Sequence, residues 1–160
     1  IQALETMIQN TLSAALPGCD MPLAELSATD RLAEMEFFLS SDTAEIQRIS
    51  GIDPGQYSEI YLRGFVDLIF RKDDRYYLLD WKTNRLPSYD SEQLQKEMKH
   101  HRYDVQARIY FQAMRKWLES VIPGFEPALH LGGAYYLFVR GMQPGSPEGI
   151  LYLSPEELDV

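Results

Sequence analysis

The stretch GFVDLIFRKDDRYYLLDWKTN, residues 64–84, places two aspartates and a lysine inside two apolar runs. These runs, at about residues 60–71 and 75–82, predict two β-strands joined by a polar turn at Asp73 and Asp74. An ionised carboxylate in a buried strand is very unfavourable unless a partner compensates its charge. The stretch therefore predicts a β-hairpin whose charged residues have such a partner.

The length of the turn determines which residues of the hairpin face each other. Loops of two or four residues centred on Asp73 and Asp74 give the same register, and this register places Asp67 opposite Asp80. Side chains alternate between the two faces of a strand, so each aspartate is expected to share its face with residues two positions away. The predicted faces are Phe65, Asp67 and Ile69 on the first strand, and Leu78, Asp80 and Lys82 on the second.

Two opposed carboxylates need compensation, because the Cβ atoms of such a pair lie roughly 4.5–5.5 Å apart and like charges repel. Asp67 and Asp80 could share a proton, could be neutralised in part by Lys82, or could bind a divalent metal ion together. Oxygen ligands without a nearby histidine or cysteine favour Mg²⁺ or Mn²⁺ over zinc. A metal ion held by two carboxylates beside a lysine suits the hydrolysis of a phosphodiester.

The rest of the chain predicts helices and strands around this hairpin. Apolar residues at helical spacing indicate a helix over residues 1–16 and one long helix, or two in series, over residues 90–121. Further predictions are strands at 33–39, 131–140 and 150–153, a loop at 50–59, and a last helix capped by Ser154. This order predicts one α/β domain over residues 1–160, with a central mixed β-sheet flanked by helices.

The charge of the chain limits the ways in which it could bind nucleic acid. Its 160 residues carry a net charge of -9, so the domain as a whole would repel a phosphate backbone. Residues 93–117 are locally basic, although a solvated helix face is the preferred interpretation of any single charge there. The basic residues of this segment are Lys96, Lys99, Arg102, Arg108, Arg115 and Lys116.

Two further features of the sequence concern its environment. Cys19 is the one cysteine and cannot form an internal disulfide, which is compatible with a reducing cytoplasm. No apolar run approaches the roughly eighteen residues of a membrane span. The sequence therefore predicts a protein that is not inserted in a membrane.

Three motifs together resemble a known family. The Gly-Phe-Val-Asp strand, the Leu-Leu-Asp-x-Lys-x-Asn strand and a helical Gln-x-x-x-Tyr are similar to the motifs of the PD-(D/E)xK nuclease superfamily, and of its RecB-type nucleases in particular. The segments EMEFFL, HHRYDVQ, GGAYYLFVRG and GILY extend the resemblance to the RecB-type nuclease domain of bacterial exodeoxyribonuclease V, from about residue 34 to residue 153. The resemblance implies a restriction-endonuclease-like core and metal-dependent hydrolysis of DNA.

The resemblance also implies roles for the charged residues of the hairpin. Asp67 and Asp80 would bind the catalytic Mg²⁺ together with the backbone carbonyl of Trp81, and Lys82 would activate the attacking water. Mn²⁺ would be a possible substitute for Mg²⁺, and Ca²⁺ a non-catalytic occupant of the same site.

The helical motif adds candidates for DNA contact. Gln106 and Tyr110 match the family's Gln-x-x-x-Tyr and, being four positions apart, share one helix face. Without the hairpin, a packed tyrosine and a surface glutamine would be the preferred interpretation of this pair. Arg102 and Arg108, from the same basic segment, are further candidates for binding DNA.

The sequence departs from the family pattern at one position. The family places a metal-binding histidine on a helix upstream of the first strand, whereas no histidine precedes His100 here. We expect that the chain is a fragment of a longer protein and lacks this upstream helix. His100 and His101 are not expected to replace it, because adjacent helical residues point apart.

The resemblance implies partners as well as chemistry. Related nucleases are tethered to a helicase and joined by other subunits of an exodeoxyribonuclease V complex, which delivers unwound single strands of DNA in the bacterial cytoplasm. The chain itself contains no Gly-x-x-x-x-Gly-Lys-Ser/Thr phosphate loop. We therefore expect DNA, a helicase and other subunits as partners, and no membrane.

Two alternatives to a nuclease remain. The first is a catalytically silent, nuclease-like module that binds DNA or other subunits, although such a module need not retain Asp67, Asp80 and Lys82. The second is a carboxylate-pair enzyme that acts on sugars. Opposed Cβ atoms would bring its carboxyl groups rather close for an inverting mechanism, and Lys82 would have no evident role.

Overall fold

The computed structural model describes residues 2–51, 53, 55 and 59–159. Six α-helices are present among these residues: α1 (Gln2–Ser13), α2 (Thr43–Ser50), α3 (Ser91–His100), α4 (Tyr103–Val121), α5 (Pro127–His130) and α6 (Pro155–Leu158). The strands are β1 (Ala15–Leu16), β2 (Met21–Pro22), β3 (Arg31–Asp42), β4 (Glu59–Lys72), β5 (Arg75–Lys82), β6 (Leu131–Phe138) and β7 (Ile150–Leu153).

Five of the strands form one mixed sheet in the order β3-β4-β5-β6-β7. β4 pairs antiparallel with both β3 and β5, β6 pairs parallel with β5, and β7 pairs antiparallel with β6. A parallel pair needs a long crossover, which α3, α4 and α5 supply here. β1 and β2 form a small separate sheet. The predicted α/β class, with a central mixed sheet flanked by helices, is confirmed.

The β4–β5 hairpin has the predicted short turn and register. Lys72 pairs with Arg75 across the two-residue loop. Both loop residues are left-handed, with φ of 50° at Asp73 and 62° at Asp74. Positive φ at both positions is what a type I′ turn requires, and its twist matches that of the flanking strands. Aspartate tolerates this conformation better than most non-glycine residues.

Each face of the sheet is covered by a separate core. One core packs the sheet against α3, α4 and α6, and the other packs it against residues 14–26. Neighbouring residues of β5 divide between them, with Leu78 in the first core and Leu79 in the second. β6 is buried along its whole length, which explains why LGGAYYLF is a continuous apolar run.

The helices follow the sequence pattern, with two additions. The predicted long helical segment is two helices in series, which are separated at Arg102 by a left-handed φ of 57°. Ser154 and Glu157 form a reciprocal capping box that begins α6. α2 and α5 were not predicted, and the predicted helix over residues 1–16 ends at Ser13, before β1. Half of the predicted loop at 50–59 lies outside the described residues, and its ends belong to α2 and β4. No helix in the described ranges is long and apolar enough to cross a membrane.

The predicted alternation of side chains along the first hairpin strand is wrong around Asp67. Val66 and Ile69 are three positions apart yet belong to the same core, so Phe65 and Ile69 do not share a face. Glu34, the residue of β3 that would face Asp67, makes no ladder pair and has a φ of 53°. Glu34 in β3 and Asp67 in β4 are thus each one extra residue in their strand. Because both strands carry one, the register between β3 and β4 is the same on either side, while the alternation of side chains changes at Asp67.

The turn gives a first prediction. Replacing Asp74 by glycine removes the steric cost of a left-handed side chain, so we expect the free energy of unfolding of Asp74→Gly to rise by about 0.5–1 kcal/mol. Asp74→Ala keeps that cost and is expected to lower it by about 1 kcal/mol. Urea unfolding followed by circular dichroism measures both changes. Equal effects of the two substitutions would contradict a type I′ turn here.

Candidate active site

The candidate site lies where strands β4 and β5 separate. Their ladder ends at the pair Leu68–Leu79, whereas β4 continues to pair with β3 and β5 with β6. The sheet therefore opens into a fork. Asp67 and Asp80 lie at the base of this fork, one position beyond the last ladder pair, as the predicted register requires.

Asp67 bonds to the main chain of the other arm of the fork. Its Oδ2 accepts a hydrogen bond of 2.9 Å from the backbone N–H of Trp81. Because β4 and β5 no longer pair here, this carboxylate takes the place of a ladder acceptor for that N–H group. Asp67 thus holds the backbone of Trp81 at its N–H group. The carbonyl group of Trp81 stays a predicted metal ligand.

Asp80 is buried and paired with Lys82. Its residue surface is 4% exposed, and Lys82 Nζ lies 2.5 Å from its Oδ1. Lys82 is the one partner of this oxygen among the described residues. Burial raises the pKa of Asp80, Lys82 opposes this shift, and the negative charge of Asp67 adds to it.

Lys82 is held by more than its carboxylate partner. Its Nζ donates a hydrogen bond of 2.9 Å to Oε1 of Gln106 on α4. The same atom lies 3.9 Å from the ring centre of Tyr103 and 5.2 Å from that of Tyr136. An ammonium group over ring faces in a buried site is a favourable cation–π arrangement.

The predicted helical pair joins this network. Gln106 Nε2 donates to the hydroxyl of Tyr110 over 3.0 Å, and the hydroxyl of Tyr136 donates to Gln106 Oε1 over 3.3 Å. The ring of Tyr110 packs edge-on against Phe37. A Cβ at Gly64 would lie 2.7 Å from the Phe37 ring, so glycine permits this packing. The structure therefore brings Gln106 and Tyr110 to the predicted charged residues.

Two aromatic residues of the site were missed in the sequence. Tyr103 opens α4, and Tyr136 lies in the middle of β6, which pairs Tyr136 with Asp80. Tyr136 lay within a buried apolar run that carried no separate signal. Tyr103 lies one turn before Gln106, and this spacing on a shared helix face could have identified it.

Arg102 and Arg108 form no ion pair with the carboxylates of Asp67 and Asp80. Instead they donate to the last carbonyls of α2, from Arg102 to Ser50 O over 2.8 Å and from Arg108 to Ile49 O over 3.5 Å. Cationic side chains at a helix C-terminus complement its dipole. Their proposed binding to DNA stays a prediction, and they have a structural role in addition.

Other charges of the predicted basic segment are paired within the domain. Lys96 pairs with Glu92, and Lys116 pairs with Glu45. Arg115 pairs with Glu119 and Asp159. Exposed ion pairs of this kind add little stability. They do reduce the local positive charge available to a phosphate backbone.

The residues at the fork fit a hard divalent cation. Asp80 is buried beside Lys82, and the negative charge of Asp67 adds to its own, so one ammonium group faces two carboxylates. Within residues 2–51, 53, 55 and 59–159, no three His, Cys, Asp or Glu side chains converge on one point. Mg²⁺ is often held by only one or two carboxylates, with water and substrate phosphate as its other ligands. Two aspartates are therefore a sufficient protein donor set for it.

Aromatic side chains line one exposed face of β3 and β4, which we call the aromatic face and define as Phe38, Tyr61, Arg63 and Phe65. Phe38 and Tyr61 are each 74% exposed, and Phe65 is 48% exposed. Arg63 pairs with Phe38 in the ladder, and its guanidinium lies 5.5 Å from the ring centre of Phe38 and 5.9 Å from that of Phe65. Glu36 forms an ion pair with Arg63. Gly64 faces Tyr110, so its neighbours Arg63 and Phe65 point to the other side of the sheet, and the aromatic face runs along β4 to the fork on that side.

The fold and the site together define the class of protein. A model of the PD-(D/E)XK nuclease superfamily matches residues 2–159. The chain belongs to this superfamily. The assignment of Asp67 and of Asp80-Trp81-Lys82 to the motif after which the superfamily is named stays a prediction.

Its curated relatives are more specific. The chain is 36% identical to the RecBCD enzyme subunit RecB of Haemophilus influenzae over 83% of its length, and 32% identical to that of Escherichia coli K12 over 93%. It is also 32% identical to the RecB subunit of Mycolicibacterium smegmatis over 81% of its length. The matches cover only 12%, 14% and 13% of these relatives, so the chain corresponds to a small part of each.

The pKa of Asp80 leads to a second prediction, for the metal-free protein in EDTA. A carboxyl group with a raised pKa in the folded state contributes most to stability below its unfolded pKa and loses that contribution as pH rises through the folded pKa. Asparagine does not ionise, so the Asp80→Asn variant does not lose this stability as pH rises. We therefore expect its stability relative to the parent protein to increase as pH rises above about 4.

Urea unfolding at several pH values between 4 and 7 measures this difference, and Asp20→Asn is a control on an aspartate with positive φ away from the fork. A relative stability of Asp80→Asn that falls with rising pH would show that the Lys82 pair, and not burial, dominates the energy of Asp80.

Proposed function

We propose that the chain is a metal-dependent nuclease domain that hydrolyses phosphodiester bonds of DNA, with Mg²⁺ as its cation and Mn²⁺ as a substitute. The observation that supports this most directly is the meeting of Asp67, Asp80 and Lys82 at the fork of the sheet. Each group is there at a cost in desolvation, which a purely structural site would avoid with apolar residues.

In this proposal, Asp67 and Asp80 hold the cation together with the backbone carbonyl of Trp81. A cation held there would polarise the phosphate and make a bound water more acidic. Asp67 also keeps the Trp81 backbone in place through its bond to the N–H group. Substrate phosphate and water would fill the remaining ligand positions.

Lys82 orients the attacking water in this proposal. Its ammonium group has three N–H donors, of which one bonds to Gln106 and a second lies against Asp80. The third donor can turn towards a water molecule or a phosphate oxygen. Its fixed positive charge, next to Asp80, also favours the negative charge that develops on the phosphate.

We further propose that the DNA is a single strand and that the aromatic face contributes to its binding. Exposed rings stack on bases without regard to sequence, and Arg63 between Phe38 and Phe65 adds a cation–π partner. Phe65 lies two residues, or about 7 Å along the strand, from Asp67. Bases stacked on this face would therefore approach the fork from the side of the sheet opposite Tyr110.

The wider setting follows from the relatives and stays a proposal. The relatives are named subunits of the RecBCD enzyme, so we propose that the chain acts as the nuclease part of a helicase–nuclease complex in the bacterial cytoplasm. Other subunits would then deliver unwound strands to it during DNA repair or the degradation of linear DNA. We also propose that residues 1–160 form one domain of a longer chain.

The third prediction tests catalysis. Linear single-stranded DNA incubated with the protein and Mg²⁺ or Mn²⁺ is expected to be degraded, and EDTA is expected to stop the reaction. Asp80→Ala and Lys82→Ala should each lower the rate at least about a hundredfold, because each removes a charge that acts in the transition state. Gel electrophoresis of end-labelled DNA follows the products.

Asp73→Ala, in the exposed turn of the same hairpin, is the matched control and should cut like the parent protein. If neither the parent protein nor a longer chain that includes the preceding helix degrades DNA, the domain is a binding or interaction module and the proposal is wrong.

The fourth prediction tests the aromatic face by binding alone. In an Asp80→Ala background with Ca²⁺, Phe38→Ala and Phe65→Ala should each weaken the binding of a labelled oligonucleotide by about 1–3 kcal/mol, because each removes a stacking ring. Fluorescence anisotropy measures the affinity. Leu129→Ala, which truncates an equally exposed apolar residue outside this face, should change nothing.

Unchanged binding of single strands by both phenylalanine variants would remove the aromatic face from the path of the DNA. Catalysis at the fork would be unaffected by that result.

A further inference from the structure

We propose that Tyr103 is a positioning residue for Lys82, whose ammonium group it holds through the face of its ring. The proposal rests on the nuclease function proposed above, because it assigns Tyr103 a part in that reaction. Tyr103 itself would contact neither the cation nor the DNA. It would act by fixing where the Lys82 donors lie.

The contact between the two side chains is close and shielded from water. Lys82 Nζ lies 3.9 Å from the ring centre of Tyr103, and the Lys82 side chain is only 10% exposed. Tyr136 lies farther from the same ammonium group, at 5.2 Å, and its ring is roughly parallel to that of Tyr103. Attraction between a cation and a ring is strongest at such short distances in a desolvated site.

The ring of Tyr103 is itself fixed from several directions. His101 stacks on it with ring centres 5.3 Å apart, and the Tyr103 hydroxyl lies 3.4 Å from the side-chain amide of Asn84. Asn84 in turn donates to Glu97 over 2.8 Å. The left-handed Arg102 sets the point at which α4 begins, and therefore where its first residue lies. This ring is a rigid surface for the ammonium group.

A ring offers Lys82 something that another polar partner would not. The ammonium group already contacts the carboxylate of Asp80 and the amide oxygen of Gln106. A ring attracts the cation as a whole through its quadrupole and has no lone pair that must accept an N–H. Tyr103 can therefore help to hold the ammonium group in place and still leave an N–H donor for water.

The test compares three side chains at position 103 under steady-state cleavage of a single-stranded oligonucleotide with Mg²⁺. Tyr103→Phe keeps the ring and should retain kcat within about threefold. Tyr103→Leu removes the ring and should lower kcat at least about tenfold with KM changed less than about threefold, because the loss affects the reaction step and not binding. Thermal unfolding is recorded for each variant.

Two controls separate positioning from stability. Tyr76→Leu removes a half-buried tyrosine that belongs to the same core and lies six residues before Lys82 on β5. This variant should keep kcat even if its Tm falls as far as that of Tyr103→Leu. Pentafluorophenylalanine introduced at position 103 keeps the shape of the ring but reverses its quadrupole. It should lower kcat relative to Tyr103→Phe even if Tyr103→Leu fails to fold.

A measurement without metal or DNA makes the proposal independent of activity. In the NMR spectrum of the metal-free protein, the ε-methylene protons of Lys82 should be shifted upfield by the ring, and Lys82→Met identifies their signal by its absence. Tyr103→Phe should keep the upfield shift, and Tyr103→Leu should lose most of it. The residual shift would come from Tyr136.

The outcomes are distinguishable. The same Lys82 shift in Tyr103→Leu and the parent protein, or an unchanged kcat with either ring-disrupting substitution, would overturn the proposal. An equal loss of kcat in Tyr103→Phe and Tyr103→Leu would assign the effect to the hydroxyl group and overturn it as well. A parent protein that cuts no DNA would refute the proposed function, and the NMR shifts would still decide whether Tyr103 holds Lys82.

Discussion

Beyond Leu68 and Leu79 the strands β4 and β5 stop pairing, and the bond from the Trp81 N–H to Asp67 replaces the next bond of the ladder. A buried N–H group at the end of a ladder must find an acceptor, and a carboxylate supplied by the other strand is a strong one. This substitution allows the sheet to open while its backbone stays satisfied. The irregular alternation at Asp67 is part of the same change, since it frees the side chain to reach across the opening.

The charges at the base of the fork are expensive to keep. A buried ion pair such as Asp80–Lys82 seldom repays its desolvation, and apolar residues of similar volume would often be at least as stable. The raised pKa of Asp80 has the same cause, because burial outweighs the attraction of Lys82. Partial compensation comes from neighbours that accept the ammonium group without a charge of their own, namely Gln106 and the rings of Tyr103 and Tyr136. One ammonium group therefore faces two carboxylates, Asp67 and Asp80, at the base of the fork.

The sequence predicted the hairpin well because turn length and apolar pattern are local properties, and Lys72 pairs with Arg75 as expected. It failed at Asp67, where strict alternation was assumed and a coordinated irregularity with Glu34 on β3 changes the facing. A local sequence pattern does not predict an irregularity that involves both β3 and β4, because these strands are far apart in the chain. Tyr136 was missed for a similar reason, because only the parallel pairing of β6 with β5 brings it beside Asp80.

The contacts of the basic residues affect how an acidic domain could act on DNA. Arg102 and Arg108 bond to the end of α2, and Arg115 and Lys116 pair with acidic side chains. Ion pairs therefore neutralise part of the local positive charge, whereas Arg102 and Arg108 keep theirs, in a chain whose net charge is -9. Contacts that do not depend on net charge would add to the affinity for a strand, namely base stacking on exposed rings and a phosphate shared with a divalent cation. Such contacts suit a strand that is brought to the fork already unpaired, since a duplex hides its base faces.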